Sequence, residues 1–135
     1  MEVFFYGLFM DTAILSKQGV KASNPRIAYL DDYSLKIGQR ASLIPAKGER
    51  AYGLVMSLEE EAVQKLYSEA SVADYLPEEV HIITSNNEGL KASCYNLPPA
   101  SISGTNTSYA QSLYELAKRL DFPLDYLAKI KGMAG

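Results

Sequence analysis

The chain has 135 residues, 47% of them hydrophobic and 21% charged, which suits a single domain with one core. A net charge of −3 leaves no basic footprint for nucleic acid or an anionic membrane surface. Cys94 is the one cysteine, which excludes an internal disulfide and a thiolate metal cluster, and no apolar run approaches the roughly 18–20 residues of a spanning helix.

The first apolar run is Val3, Phe4, Phe5 and Tyr6, uncharged throughout and suited to a buried strand. Glu2 stands where a secretory leader would be basic and the run is short, so a reducing cytoplasmic setting is expected. Gly7 breaks the run, and Asp11 can N-cap a helix over 12–18 that Gly19 closes. Strand, glycine turn and helix start leave backbone N–H groups aimed at one spot, where an anion or oxyanion can be held. A core strand followed by an ordinary turn fits the same residues.

Residues 20–25 read as a loop ending in Asn24 and Pro25. Strand-like patterns cover 26–38, with a polar break at Asp31 and Asp32, and 40–44. A turn over 45–49 holds Lys47 and Gly48, and in the next strand, over 50–56, Tyr52, Leu54 and Met56 share one face. Ser57 and Glu60 have the spacing of a capping box ahead of a helix over 58–68, with Leu58, Ala62, Val63 and Leu66 as its apolar side. A loop over 70–79 precedes two strands, 80–84 and 90–95, joined by a hairpin through Asn86 to Gly89. Residues 98–107 are rich in Ser, Pro and Gly and read as irregular. A helix over 108–120 carries Leu113, Leu116, Ala117 and Leu120, and Pro123 opens a last helix to about 130. About six strands and four helices result. The fold class is α+β, a mixed and mostly antiparallel sheet closing into a small β-barrel flanked by helices, in one domain over 1–135.

Few groups offer chemistry. His81 is the one histidine, mid-strand and without a partnering Ser or Cys motif, and Cys94 reads as a small buried hydrophobe. Carboxylates lack metal-ligand spacing. Glu69 differs from the other acids: it follows Leu66 by three, on the inward side of a helix end where carbonyl dipoles disfavour a carboxylate. A carboxyl group so placed suits proton transfer near neutrality. A surface glutamate at a frayed helix end is the plainer alternative. Ten tyrosines against four Phe and no Trp fit either a pocket lining or half-exposed core rims.

Taken together, several stretches resemble the gamma-glutamylcyclotransferase-like family, almost end to end. Tyr6-Gly7-Leu8-Phe9-Met10 is similar to its Tyr-Gly-Ser-x-(Met/Leu) loop, and Leu30 to Leu35 to its leucine-x-x-tyrosine strand. Ala41 to Pro45 with Gly48, then Tyr52-Gly53-Leu54-Val55, resemble its Ala-x-x-x-Pro and Gly-Val-(Val/Leu) strands. Glu69 with Tyr75 six residues on matches the family's catalytic glutamate and following tyrosine. Leu120-Asp121-Phe122-Pro123 before Asp125 and Tyr126 resembles its closing Gly-Leu-Pro-x-x-Tyr segment.

The resemblance implies a small mixed barrel and cofactor-free intramolecular aminolysis of a γ-glutamyl amide, releasing 5-oxoproline and an amine or amino acid. It implies Glu69 as general acid and base, and Tyr6, Gly7, Leu8, Phe9 and Tyr75 as substrate-binding residues, with no metal. The partner implied is a small γ-glutamyl molecule, with neither nucleic acid nor membrane, and a homodimer is left open. Two departures stand out. Leu8 replaces the family's serine, and Lys65 to Ala70 lacks the Asp and Gly of its Leu-Asp-x-x-Glu-Gly. Both bear on substrate identity, so a related enzyme for another amide and a non-catalytic binding module are the alternatives.

Overall fold

The computed structural model describes residues 1–133. Its frame is one long antiparallel hairpin, Ser23–Ile37 (β2) against Ala41–Ser57 (β3), paired from Ile37↔Ala41 outward to Ser23↔Ser57. The expected breaks in this region are bulges inside continuous strands, so the described residues form five strands where about six were anticipated. Asn24 takes a positive φ within β2, and the register shifts between Ser23 and Arg26. Farther along, residues 46–49 loop out opposite Asp32, which itself has φ +67°. Its Oδ1 accepts the N–H of Gly48 at 3.0 Å, and Gly48 sits at φ +83°, a conformation glycine adopts without strain. Beside this bulge Arg50 pairs with Asp31 at 2.6 Å and lies 3.8 Å over the Tyr29 ring.

Glu2–Phe5 (β1) runs antiparallel to β3, from Glu2↔Ser57 to Phe5↔Leu54. Leu76–Thr84 (β4) and Gly89–Asn96 (β5) form the second hairpin, turned by Asn87 at φ +64°. The barrel closes in the order β1-β3-β2-β4-β5. Its seams are short: β2 meets β4 at Ala28↔Thr84 and Tyr29↔Ile83, and β1 meets β5 in parallel at Val3↔Ser93. Alternation sends Phe4, Val55, Leu35, Leu43 and Ile82 into the core, each 1% exposed or less.

The helices cover the barrel. A single 3-10 turn, Leu8–Met10, leads into Thr12–Lys17 (α1), which Asp11 caps through Oδ1 to the N–H of Ala13. Gly19 closes α1 at φ +72°, as its C′ position requires. The next helix, Glu60–Leu66 (α2), is shorter than the expected 58–68 and lacks the capping box. Ser57 is the last paired residue of β3, and its hydroxyl donates to Glu2 and accepts from Arg26. Strand pairing outcompetes the cap, and Glu59 takes the N-cap place without a side-chain bond. Past a 3-10 turn at Pro99–Ser101 come Thr107–Arg119 (α3), capped by Asn106, and Leu124–Met133 (α4). Leu113, Leu116 and Ala117 face the core, matching the periodicity. No helix among the described residues is long and apolar enough to cross a membrane.

Candidate functional site

Where β1 ends, the chain must leave the barrel, and the way it does so makes a cavity. Tyr6 is buried, and its Oη donates to the carbonyl of Tyr95 on β5 at 2.7 Å. Gly7 then precedes a tight turn in which the N–H groups of Met10 and Asp11 bond the carbonyls of Gly7 and Leu8, both at 3.0 Å. The Leu8 N–H is donated to Tyr109 Oη of α3 at 3.3 Å. That hydroxyl stands where a Cβ on residue 7 would be, so the close approach of α3 requires glycine.

The expected cluster of free N–H groups is therefore partly spent. Two are used to close the turn and Leu8's is covered by Tyr109. An anion approaching this point meets the Tyr109 O–H, which accepts from Leu8 and still carries its own proton to donate.

The cavity holds about 320 Å³. Leu8 and Phe9 of the turn form one wall with Ile14 of α1 and Gln18, the C-cap of that helix. The segment after α2 forms a second wall, through Tyr67, Ser71, Val72 and Tyr75. Tyr67 stacks on Tyr95 with centroids 3.9 Å apart and planes 9° apart, and Phe9 meets Tyr67 edge-on at 6.0 Å. Tyr75 Oη donates to the Ala41 carbonyl at 2.6 Å. Arg40, the residue before β3, reaches Asp74 with both terminal nitrogens, at 2.6 and 2.8 Å, and bonds the Ser71 carbonyl at 3.2 Å. Burial pushes the Tyr6 and Tyr67 hydroxyls well above the ordinary tyrosine value, Tyr109 upward as well, and Tyr75 up to about 12. All four are neutral donors at physiological pH.

The family model for gamma-glutamyl cyclotransferase, AIG2-like, matches residues 3–116. The chain belongs to this family. Solved structures agree on the fold. One named gamma-glutamyl cyclotransferase is 19% identical with a TM-score of 0.80, over 98% of this chain and 87% of that one. An uncharacterized protein from Homo sapiens is 19% identical at 0.77, over 98% and 86%. YkqA from Bacillus subtilis is 20% identical at 0.82, over 99% of this chain and 54% of that chain, so the present chain spans about half its length. No curated protein sequence matches.

Within this cyclotransferase-family barrel, Tyr6, Gly7, Leu8, Phe9 and Tyr75 all line the cavity. Glu69 does not. It is exposed, against the expectation of an inward, half-buried place. The reason is where the helix stops: α2 ends at Leu66 with Tyr67 as C-cap, so the three-residue offset from Leu66 no longer sets Glu69's direction. It lies in the turn that leads to Ser71 and Val72, its carbonyl accepting the Val72 N–H at 3.0 Å. Among the described residues that line the cavity there is no Asp or Glu. His81 is exposed on β4 opposite Lys91, and Cys94 is fully buried with its thiol pushed up by burial; neither lines the cavity.

Sequence reasoning missed Arg40, Gln18, Tyr67 and Tyr95 as lining groups, and saw Tyr109 only as part of a helix. The tyrosine excess was the one signal for the aromatic members. Nothing local marks Arg40, whose partner Asp74 is 34 residues away.

Proposed function

We propose that the cavity is the site of intramolecular aminolysis of a γ-glutamyl amide. The substrate's α-amino nitrogen attacks its own γ-carbonyl carbon. Its ammonium gives up a proton, the new C–N bond closes the five-membered ring, and a proton passes to the leaving nitrogen as the old C–N bond breaks. The products are 5-oxoproline and an amine. The observation that supports this reading is the cavity's lining, which brings loop 6–9, within the family-matched residues, together with Tyr67, Ser71 and Val72 on either side of Glu69 in the chain. Ring closure is a positioning task that neutral donors and a tight turn can perform. Tyr109 Oη donates to the developing oxyanion or the substrate carboxylate. Glu69, exposed in the turn two residues before Ser71, is assigned as acid and base, its side chain swinging toward the cavity to serve both proton transfers.

The experiment is release of 5-oxoproline from a panel of γ-glutamyl amides by the parent and by Glu69→Gln. Turnover of the variant is expected to fall roughly 100- to 10,000-fold with binding and folding little changed. Parent-rate release by a well-folded variant ends the assignment of Glu69.

One observation favours a second reading, a non-catalytic small-molecule binding module. Glu69 is exposed and the described lining has no carboxylate. That reading expects γ-glutamyl amides to bind without any being consumed, with equal affinity for parent and Glu69→Gln.

A further inference from the structure

The lining of the cavity is largely apolar and uncharged, which bears on what the substrate carries beyond its γ-glutamyl head. Leu8, Phe9 and Ile14 are half-buried and line the cavity together with Val72 and Tyr67, whose ring meets Phe9 edge-on. The other polar side chains of these walls, Gln18 and Ser71, are uncharged. Arg40 is the one cation among the described lining residues, and both its terminal nitrogens are already on the Asp74 carboxylate.

Charge balance then discriminates among leaving groups. A γ-glutamyl head is a zwitterion and brings one charge of each sign. An amino acid on the other side of the amide adds a carboxylate, and a diamine adds an ammonium. A carboxylate finds no unengaged cation in the lining, and an ammonium finds no lining carboxylate, Glu69 being assigned to the reacting amine, so either extra charge sheds water at a cost. An uncharged apolar group sheds water at a gain and finds aromatic edges to pack on.

Building on the cyclotransferase reading, we propose that the amine half of the substrate is uncharged and apolar, selected by the wall of Leu8, Phe9 and Ile14. Leu8 is the specificity-determining residue, since it projects from the turn that holds the reacting end.

The test uses three compounds, γ-glutamylphenethylamide, γ-glutamylalanine and γ-glutamylcadaverine, assayed for 5-oxoproline release. kcat/KM for the phenethylamide is expected to exceed both others by about 100-fold, and Leu8→Ser or Ile14→Thr to narrow the gap to about 10-fold. Equal or faster turnover of the alanine or cadaverine compound overturns the proposal while leaving cyclotransferase chemistry intact. If none of the three is turned over, the chemistry fails, and calorimetric titration of the same compounds decides the specificity alone. Binding of the phenethylamide at least about 10-fold tighter upholds the apolar subsite, and equal or weaker binding overturns it.

Discussion

On one side of the cavity, the chain from Phe5 to Asp11 grows directly out of a central barrel strand. Phe5 is 2% exposed and paired with Leu54, Tyr6 is bonded to β5, and α3 presses on Gly7. On the other side, residues 67–75 form turns whose exposed backbone hangs from the barrel mainly through side chains, Tyr75 to Ala41 and Arg40 to Asp74 and Ser71. The first wall gives a fixed surface to bind against. The second is anchored by the Tyr67–Tyr95 stack, beyond which its exposed turn bears the carboxylate to which proton transfer is assigned. A fold can thus separate grip from chemistry, keeping the part that must be accurate rigid and the part that must approach adjustable.

Substitutions on the two walls should therefore differ in kind. Phe5→Ala strikes the fixed wall at its root and is expected to cost about 3–5 kcal/mol in chemical denaturation. A loss below about 1 kcal/mol would mean the strand end is not load on the core. Gly7→Ala forces its methyl onto the Tyr109 hydroxyl and should cost about 1–3 kcal/mol. Adding Tyr109→Phe should recover part of that loss, and a double-mutant cycle showing no coupling would refute the contact.

On the second wall, Tyr75→Phe removes one hydrogen bond and should cost about 1 kcal/mol. The Tyr75 pKa is about 12 in the folded chain against an ordinary 10.0, because burial disfavours the phenolate. Its contribution is therefore complete below pH 10.0 and is lost as pH rises to about 12, and parent and Tyr75→Phe should differ in their alkaline unfolding over that window. Smallest in stability is Arg40→Gln, expected below about 1 kcal/mol because the ion pair with Asp74 is solvent-exposed. Its effect should appear as faster amide hydrogen exchange over 70–75 with β1 unchanged, and a uniform change across both walls would erase the contrast.

The sequence makes the fixed wall legible and the adjustable one opaque, for a physical reason. β1, the glycine turn and the Asp11 cap are local signals, each decided within a few residues, and the strand, turn and cap form where those signals put them. The β-barrel with flanking helices also follows from strand patterning and the resemblance. The bulges at Asn24 and Asp32 look like turns because the same residues tolerate positive φ in both settings. Ser57 looks like a cap because its competing partners, Glu2 and Arg26, are far away in sequence. Glu69's direction depends on where α2 unwinds, and the contacts that hold the segment after it come from Arg40 and Ala41, which periodicity cannot see.

The short parallel seam between β1 and β5 bears on how the molecule assembles. The β2–β3 and β4–β5 hairpins join neighbours in the chain, whereas β1 must find Ser57 to Leu54 on one side and Ser93 on the other. Pairings that distant close slowly, because the loop entropy is spent before any contact forms. Insertion of β1 is thus expected to be the late, rate-setting event, with mutations in β1 speeding unfolding more than they slow the formation of either hairpin. The cavity begins at the last residue of that strand, so no partly folded chain can offer it. A ligand seated there would act as a latch on the final seam, slowing the escape of β1 in proportion to its occupancy.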